Sequence, residues 1–299
     1  SKRGQPNEMF ARGVMELFTL GRGNYTEKDV QEGARAFTGW SFLPDGSFFE
    51  RPRQHDFGPK TFLGKTGNFD GNDALNIILE QKGTAKFIVT KIYKFFVNEK
   101  INPGIIEHLS DQFYDSKYDI KKLMTEIFTS KWFYNEENIG AKIKSPIELM
   151  AGIMRTLPMQ LEKPENLIVY QKLLGQMLLY PPNVAGWPSG NSWIDSSTLM
   201  LRLQIPQIWS GLRPLELEAK TDDDVEMGLK NNQMRNKGFK NPNIIIDWNL
   251  VESTFKNKSI SDYLLQTKSS NEKIIDQFSD SSLKLKIIDL MSTPEFQLC

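Results

Sequence analysis

The residues best suited to chemistry lie in an irregular stretch, residues 40–70, that is rich in glycine, proline and aromatic side chains. It contains His55, one of only 2 histidines in the chain, followed directly by Asp56 and then by Lys60. An imidazole beside a carboxylate can transfer protons near neutral pH, and an ammonium group can bind an anion. Glycine and proline exclude a regular helix here, so other elements must hold these groups in place.

A second polar set lies on the first predicted helix. Asn7 is its expected N-cap. Glu8, Arg12 and Glu16 follow at intervals of four residues, which places them on one helical face. If the irregular stretch folds over this face, its histidine and aspartate converge with the two glutamates.

Three interpretations of this convergence are open. In the first, it is a catalytic or ligand-binding site of a hydrolase-like protein. Its catalytic groups would be His55, Asp56, Glu8 and Glu16, and its ligand-binding groups Arg12, Lys60, Asn7, Trp40 and Trp187. In the second, the histidine and carboxylates bind a divalent cation, but a single histidine is a weak metal signature and no metal ligand is assigned. In the third, the same groups form an internal network that pins the loop to the helix. The cofactor is unknown from the sequence.

Composition excludes several classes of protein. Lys+Arg and Asp+Glu are equal at 37 each, which argues against a protein that tracks nucleic-acid phosphates. The chain contains 1 cysteine, Cys299, so it has no intramolecular disulfide and no cysteine-based metal site. No apolar run is long enough to span a bilayer, and no signal-peptide core is visible.

Apolar periodicity predicts a mainly α fold, an irregular multi-helix bundle with two long non-helical segments and a small β-hairpin. Thr26 with Asp29 and Ser145 with Glu148 have the spacing of capping boxes, which mark helix starts. The hairpin is predicted within residues 40–49, around a Pro-Asp-Gly turn.

The predicted organisation is a main helical domain, residues 1–212, that contains irregular segments 40–70 and 180–194. We expect these segments to meet on one side, with Trp187 and Trp193 packed into the core. A polar, asparagine-rich linker follows at 213–243, and a C-terminal helical part at 244–299, with helices near 259–266, 270–278 and 281–292.

Short motifs in a fixed order give the chain a family resemblance. They are Pro-Asn-Glu-Met-Phe-Ala-Arg and Glu-Leu-Phe-Thr-Leu-Gly within 6–21, Tyr-Thr-Glu-Lys-Asp-Val at 25–30, Ala-Arg-Ala-Phe-Thr-Gly-Trp at 34–40, His-Asp-x-Gly-x-Lys-Thr-Phe-Leu-Gly at 55–64, Lys-Ser-Pro-x-Glu at 144–148, Gly-Gln at 175–176 and Pro-Pro-Asn-Val-x-Gly-Trp at 181–187. Over residues 5–210 and the Thr-Pro-Glu-Phe ending, the chain resembles the C-terminal two-thirds of the bacterial domain of unknown function 1800 family.

The resemblance implies an exported protein of the periplasm, cell surface or extracellular space. It also implies a partner, because genes of this family commonly lie beside those of a sulfatase-like family. It carries no established activity, cofactor or catalytic residue. Two departures from the family pattern are Gly13 and Gly33, where Glu and Ala are more usual.

Two functions follow as expectations. The first is a non-enzymatic binding or assembly component of the bacterial envelope or extracellular space that works with a partner protein, neither membrane-spanning nor nucleic-acid-binding. The second is a hydrolase-like enzyme on a polymeric envelope or extracellular substrate, built on the histidine, carboxylate and arginine groups named above. A buried, fully paired network favours the first, and an open cleft that exposes His55 and Glu8 favours the second.

Overall fold

The structure, a computed structural model, describes residues 1–215, 243–266 and 282–299. It confirms a mainly α fold whose strands form small antiparallel pairs. The chain divides into two compact units, residues 1–135 and 136–299, here called unit 1 and unit 2. Within the described ranges, the helices lack the combination of length and apolar character that a membrane crossing requires.

Unit 1 consists of helices and two short hairpins. Its elements are α1 (Glu8–Gly13), a π-helix (Val14–Thr19), α2 (Glu27–Ala36), β1 (Trp40–Phe42), β2 (Phe48–Glu50), a 3₁₀ turn (Pro52–Gln54), β3 (Lys60–Phe62), β4 (Lys65–Gly67), α3 (Gly71–Leu79), α4 (Lys82–Phe96), α5 (Pro103–Asp115), α6 (Ile120–Thr129) and a 3₁₀ turn (Lys131–Tyr134). The predicted hairpin is β1–β2, with Phe42 opposite Phe48. The pairing of β3 with β4 is a second hairpin that the sequence pattern did not indicate.

Two apolar clusters form the interior of unit 1. One joins α1, the π-helix, α2 and α3, and includes the fully buried ring of Phe62 from β3. The other joins α4, α5 and α6. Because β3 contributes a core residue, the irregular stretch is anchored to the helices and is not a free loop.

Unit 2 is also mainly helical. It contains a 3₁₀ turn (Glu136–Asn138), α7 (Pro146–Thr156), β5 (Met159–Leu161), a 3₁₀ turn (Pro164–Asn166), α8 (Leu167–Leu173), a 3₁₀ turn (Gly190–Trp193), α9 (Ser196–Trp209), β6 (Ile244–Ile246), α10 (Trp248–Phe255), α11 (Ile260–Leu264), α12 (Leu283–Met291) and a 3₁₀ turn (Glu295–Gln297). The predicted capping box of Ser145 and Glu148 begins α7. Apart from one 3₁₀ turn, residues 180–194 are non-helical, as predicted.

The division into units differs from the predicted boundary near residue 212. Strand β6 pairs with β5, and buried residues from α7, α9, α10 and α12 share one apolar core. The predicted C-terminal part is therefore built into unit 2, because its apolar faces are covered by helices that precede it in the chain. Most of the predicted linker 213–243 and the predicted helix 270–278 lie outside the described residues. The irregular segments 40–70 and 180–194 belong to different units. Their expected meeting on one side stays a prediction.

The two unusual glycines differ in their surroundings, and this gives a first prediction. A Cβ at Gly13 would have no heavy atom within 4 Å, whereas one at Gly33 would lie 3.0 Å from Cε2 of the buried Phe62. We expect Gly13→Ala to raise the free energy of unfolding by about 0.5–1 kcal/mol through helix propensity. Gly33→Ala should instead lower it by about 1 kcal/mol, because the ring of Phe62 must move.

Urea unfolding of the two variants checks this difference. Adding Gly33→Ala to a Phe62→Leu background, where the ring is absent, should be less destabilising than adding it to the wild type. Equal stabilisation by both alanine substitutions in the wild type would contradict the packing argument.

Candidate functional site

A line of polar side chains on α2 holds the irregular stretch in place. Asp29, Glu32 and Arg35 are spaced three residues apart, and Thr38 follows just beyond the helix. Residues at this spacing lie on neighbouring positions of one helical face. We call these four residues the α2 polar stripe.

The two carboxylates of the stripe bind backbone N–H groups of the β3–β4 hairpin. Glu32 Oε2 accepts from Thr61 N at 3.0 Å, and Asp29 Oδ1 accepts from Leu63 N at 2.8 Å. Burial disfavours the charged form of Asp29, but hydrogen bonds from Thr26 and Leu63 outweigh it and lower the pKa of Asp29. These carboxylates take the place of a neighbouring strand along the edge of β3.

Arg35 is the centre of the stripe. Its Nε and Nη2 donate to the two carboxylate oxygens of Asp56 at 2.9 and 3.3 Å. Its Nη1 donates to the Glu32 carboxylate at 2.9 Å and to the carbonyl oxygen of Pro59 at 3.1 Å. This bidentate geometry fixes the guanidinium and the loop relative to each other. It also lowers the pKa of Asp56 to about 2.

The depressed pKa of Asp56 predicts acid sensitivity. The folded-state pKa of about 2 lies below the ordinary value of 3.8, so the ion pair stabilises the fold above about pH 4. That contribution, about 2 kcal/mol, should disappear as the pH falls from about 4 to 2. Urea unfolding at several pH values should therefore show a smaller loss for Asp56→Asn than for the wild type, and parallel curves would contradict the assignment.

His55 is held beside the stripe. It is 6% exposed, and its Nδ1 lies 2.8 Å from the carbonyl oxygen of Thr38. Because a carbonyl oxygen only accepts, Nδ1 carries a hydrogen and donates it to Thr38. The ring packs edge-to-face on Phe57, with centroids 4.8 Å apart. The hydroxyl of Thr38 accepts from Asp56 N at 2.8 Å and so completes the attachment.

Lys60 was expected to bind a ligand, but its side chain is buried within its own loop. It is 1% exposed, and its Nζ donates to the carbonyl oxygens of Asp56 at 2.5 Å and Gly58 at 3.1 Å. Burial lowers the pKa of this ammonium group. Its ammonium group donates to the turn at residues 56–58, so Lys60 stabilises the conformation of its own loop.

Among the described residues, no hydrogen bond or ion pair joins His55 to the polar face of the first helix. Arg12 pairs with Glu27 at 2.5 Å. Glu16 accepts from Arg22 at 2.7 Å and from the hydroxyl of Tyr25 at 2.7 Å. These side chains find partners in the connection to α2 and on its first turn, so the convergence on His55 stays a prediction.

Two other residues from the first helix complete this comparison. Asn7 caps α1 through its side chain, which accepts from Phe10 N at 3.0 Å. Glu8 is exposed, and the described part of the chain records no hydrogen bond or ion pair for its side chain.

The two tryptophans proposed for ligand stacking lie in separate units. Trp40 packs edge-to-face on Phe37 and Phe48, with centroids 5.1 and 5.2 Å away. Its indole lies so close to Gly71 that a Cβ there would be 2.3 Å from the ring. Trp40 is therefore a packing residue of unit 1. Trp187 is half-buried in unit 2, and the Trp193 ring is 6% exposed, as expected for a core residue.

The α2 polar stripe was missed by the sequence argument, although a signal was present. Three charged residues at a spacing of three begin with Asp29 of the capping box and precede the irregular stretch. Among the described residues, no group of three or more His, Cys, Asp or Glu side chains has the arrangement needed to hold a metal ion. The contacts around His55 form a loop–helix network of hydrogen bonds and ion pairs.

Comparison with protein families gives a match over nearly the whole chain. A family described as "Protein of unknown function (DUF1800)" matches residues 1–298. This range is wider than the motifs at 5–210 indicated. No curated protein and no solved structure matches the chain. Together with the ordered motifs, the match establishes that the chain belongs to the DUF1800 family.

Proposed function

We propose that this protein is a non-enzymatic binding or assembly component of the bacterial cell envelope or extracellular space that acts with a partner protein. The observation that carries the proposal is the pairing around His55. Arg35, Asp56 and Lys60 each bind groups of unit 1 itself. A general acid or base must reach a substrate, whereas these side chains hold a loop.

The β1–β2 hairpin offers the surface for a partner. Phe42 and Phe48 are opposite each other and are 75% and 61% exposed, and Phe49 is 43% exposed. Exposed aromatic side chains on a rigid support are typical anchors of protein interfaces. Here the support is Trp40, which packs on Phe37 beneath the hairpin.

The location and the partner rest on the family resemblance. It implies export to the periplasm, cell surface or medium, and a sulfatase-like envelope protein encoded nearby. We take that protein as the partner to test.

Co-purification with the sulfatase-like protein tests the proposal. Phe42→Ser and Phe48→Ser should weaken binding at least roughly tenfold, the usual effect of removing an interface anchor, and Phe42→Ser should do so at an unchanged melting temperature. Phe18→Ser is the matched control, because Phe18 is 62% exposed but lies in the π-helix. Binding by wild type and control, with loss in the hairpin variants, supports the proposal.

Two outcomes would contradict it. One is no binding by the wild-type chain. The other is hydrolysis of an envelope polymer that His55→Gln or Asp56→Asn removes without lowering the melting temperature, which would favour the hydrolase-like alternative.

A further inference from the structure

Arg202, on α9 of unit 2, is a fully buried cation with unused hydrogen-bond donors. It is 0% exposed, and its Nη1 donates to the carbonyl oxygen of Lys144 at 2.9 Å. Its Nε and Nη2 are also buried, and neither has a hydrogen-bond partner among the described residues. Burial alone lowers the pKa of Arg202 to about 10, which leaves it charged at neutral pH.

Arg35 is a useful comparison, because all three nitrogens of its guanidinium group have hydrogen-bond partners. In Arg35, Nη1 binds a backbone carbonyl oxygen and a carboxylate, while Nε and Nη2 bind the two oxygens of Asp56. In Arg202, Nη1 again binds a carbonyl oxygen, but Nε and Nη2 have no hydrogen-bond partner in the described part of the chain. That edge is the part of a guanidinium that matches two oxygens of a carboxylate, phosphate or sulfate group.

The residues linked to Arg202 by hydrogen bonds include a second cation, whose charged form Glu148 favours, and a buried amide. Lys144 is a second, partly buried cation, whose Nζ donates to the carbonyl oxygen of Phe296 at 2.6 Å and lies 3.9 Å from the centre of its ring. Lys144 N donates to the carbonyl oxygen of Gln297 at 2.8 Å. The side-chain amide of Gln297 is buried, and both of its polar atoms lack a partner among the described residues. An uncompensated buried charge is strongly destabilising, and unused buried polar groups commonly mark an ion or water.

We propose that Arg202 binds a small oxyanion, a carboxylate, phosphate or sulfate group, through Nε and Nη2 in the interior of unit 2. This site is independent of the hairpin surface and of the loop around His55.

The test uses the full chain, unfolded in urea and refolded in buffer that contains chloride as the sole anion. Acetate, phosphate and sulfate are then titrated separately at constant ionic strength while the melting temperature is measured. At least one of them should raise it by roughly 5 °C in a saturable way, as expected for a ligand well above its dissociation constant. Equilibrium dialysis with labelled phosphate, sulfate or acetate should then give one ion per chain, and the three arms identify the class of oxyanion.

Arg202→Lys keeps the positive charge but removes the paired Nε and Nη2 donors, and should weaken oxyanion binding at least tenfold. Arg155→Lys is the matched control, because Arg155 is exposed in the last turn of α7, and it should bind as the wild type does. If Arg202→Lys fails to fold, the dialysis of the wild type and of Arg155→Lys decides. No saturable response to any of the three ions, or an equal response in Arg202→Lys, would overturn the proposal.

Discussion

Replacement of Arg35 by methionine is expected to lower the free energy of unfolding of unit 1 by about 2–3 kcal/mol. The substitution keeps much of the apolar stem but removes the donors that Asp56, Glu32 and Pro59 use. Two half-buried carboxylates would then lose the cation that binds both of them, which costs more than the loss of an exposed pair. Urea unfolding followed by circular dichroism measures the change.

Arg22→Met is the control for this prediction. Arg22 also pairs with a carboxylate, that of Glu16, but its side chain is 86% exposed. Exposed pairs contribute little, so this variant should unfold close to the wild-type midpoint. If both variants shifted equally, the stripe would be no more important to the fold than a surface ion pair.

Replacement of His55 by alanine should also lower the free energy of unfolding, by about 2–3 kcal/mol. The ring is 6% exposed and donates to the carbonyl oxygen of Thr38, so its removal leaves a cavity and an unpaired acceptor. Thermal melting of His55→Ala and Glu8→Ala checks this prediction. The Glu8 side chain is exposed, so its variant should melt as the wild type does, whereas His55→Ala should melt at a lower temperature.

A different result would reassign the histidine. Unchanged melting of His55→Ala, combined with loss of ligand binding or activity, would show that the side chain acts on another molecule and is not a structural residue.

Helix starts could be predicted because they depend on a few neighbouring residues. Thr26 with Asp29 and Ser145 with Glu148 form both halves of a capping box in the structure. The same holds for the β1–β2 hairpin, whose turn residues and strand residues are adjacent in the chain. Local hydrogen bonds of this kind leave a pattern that can be recognised without knowledge of the fold.

The partner of the irregular stretch could not be predicted in this way. The spacing of four on α1 and the spacing of three on α2 both place charges on one face, and neither shows which face the loop crosses. The π-helix at Val14–Thr19 adds to the difficulty, because it changes the register that an α-helical spacing assumes for Glu16. The choice of α2 depends on packing of Phe62 from β3 against the core, a contact between residues distant in sequence.

The division into units could not be predicted from the sequence for a similar reason. The pairing of Met159–Leu161 with Ile244–Ile246 joins two short strands across a long intervening sequence. Three-residue strands give little periodicity, so their partners are set by the core that α7, α9 and α12 form around them.

Backbone N–H groups of Thr61 and Leu63 are bound by side chains of α2 and not by another strand. Their exchange with deuterated solvent requires the hairpin and the helix to separate. Both amides should therefore exchange at one common rate and together report that separation, although their sequence neighbourhood is that of a surface turn.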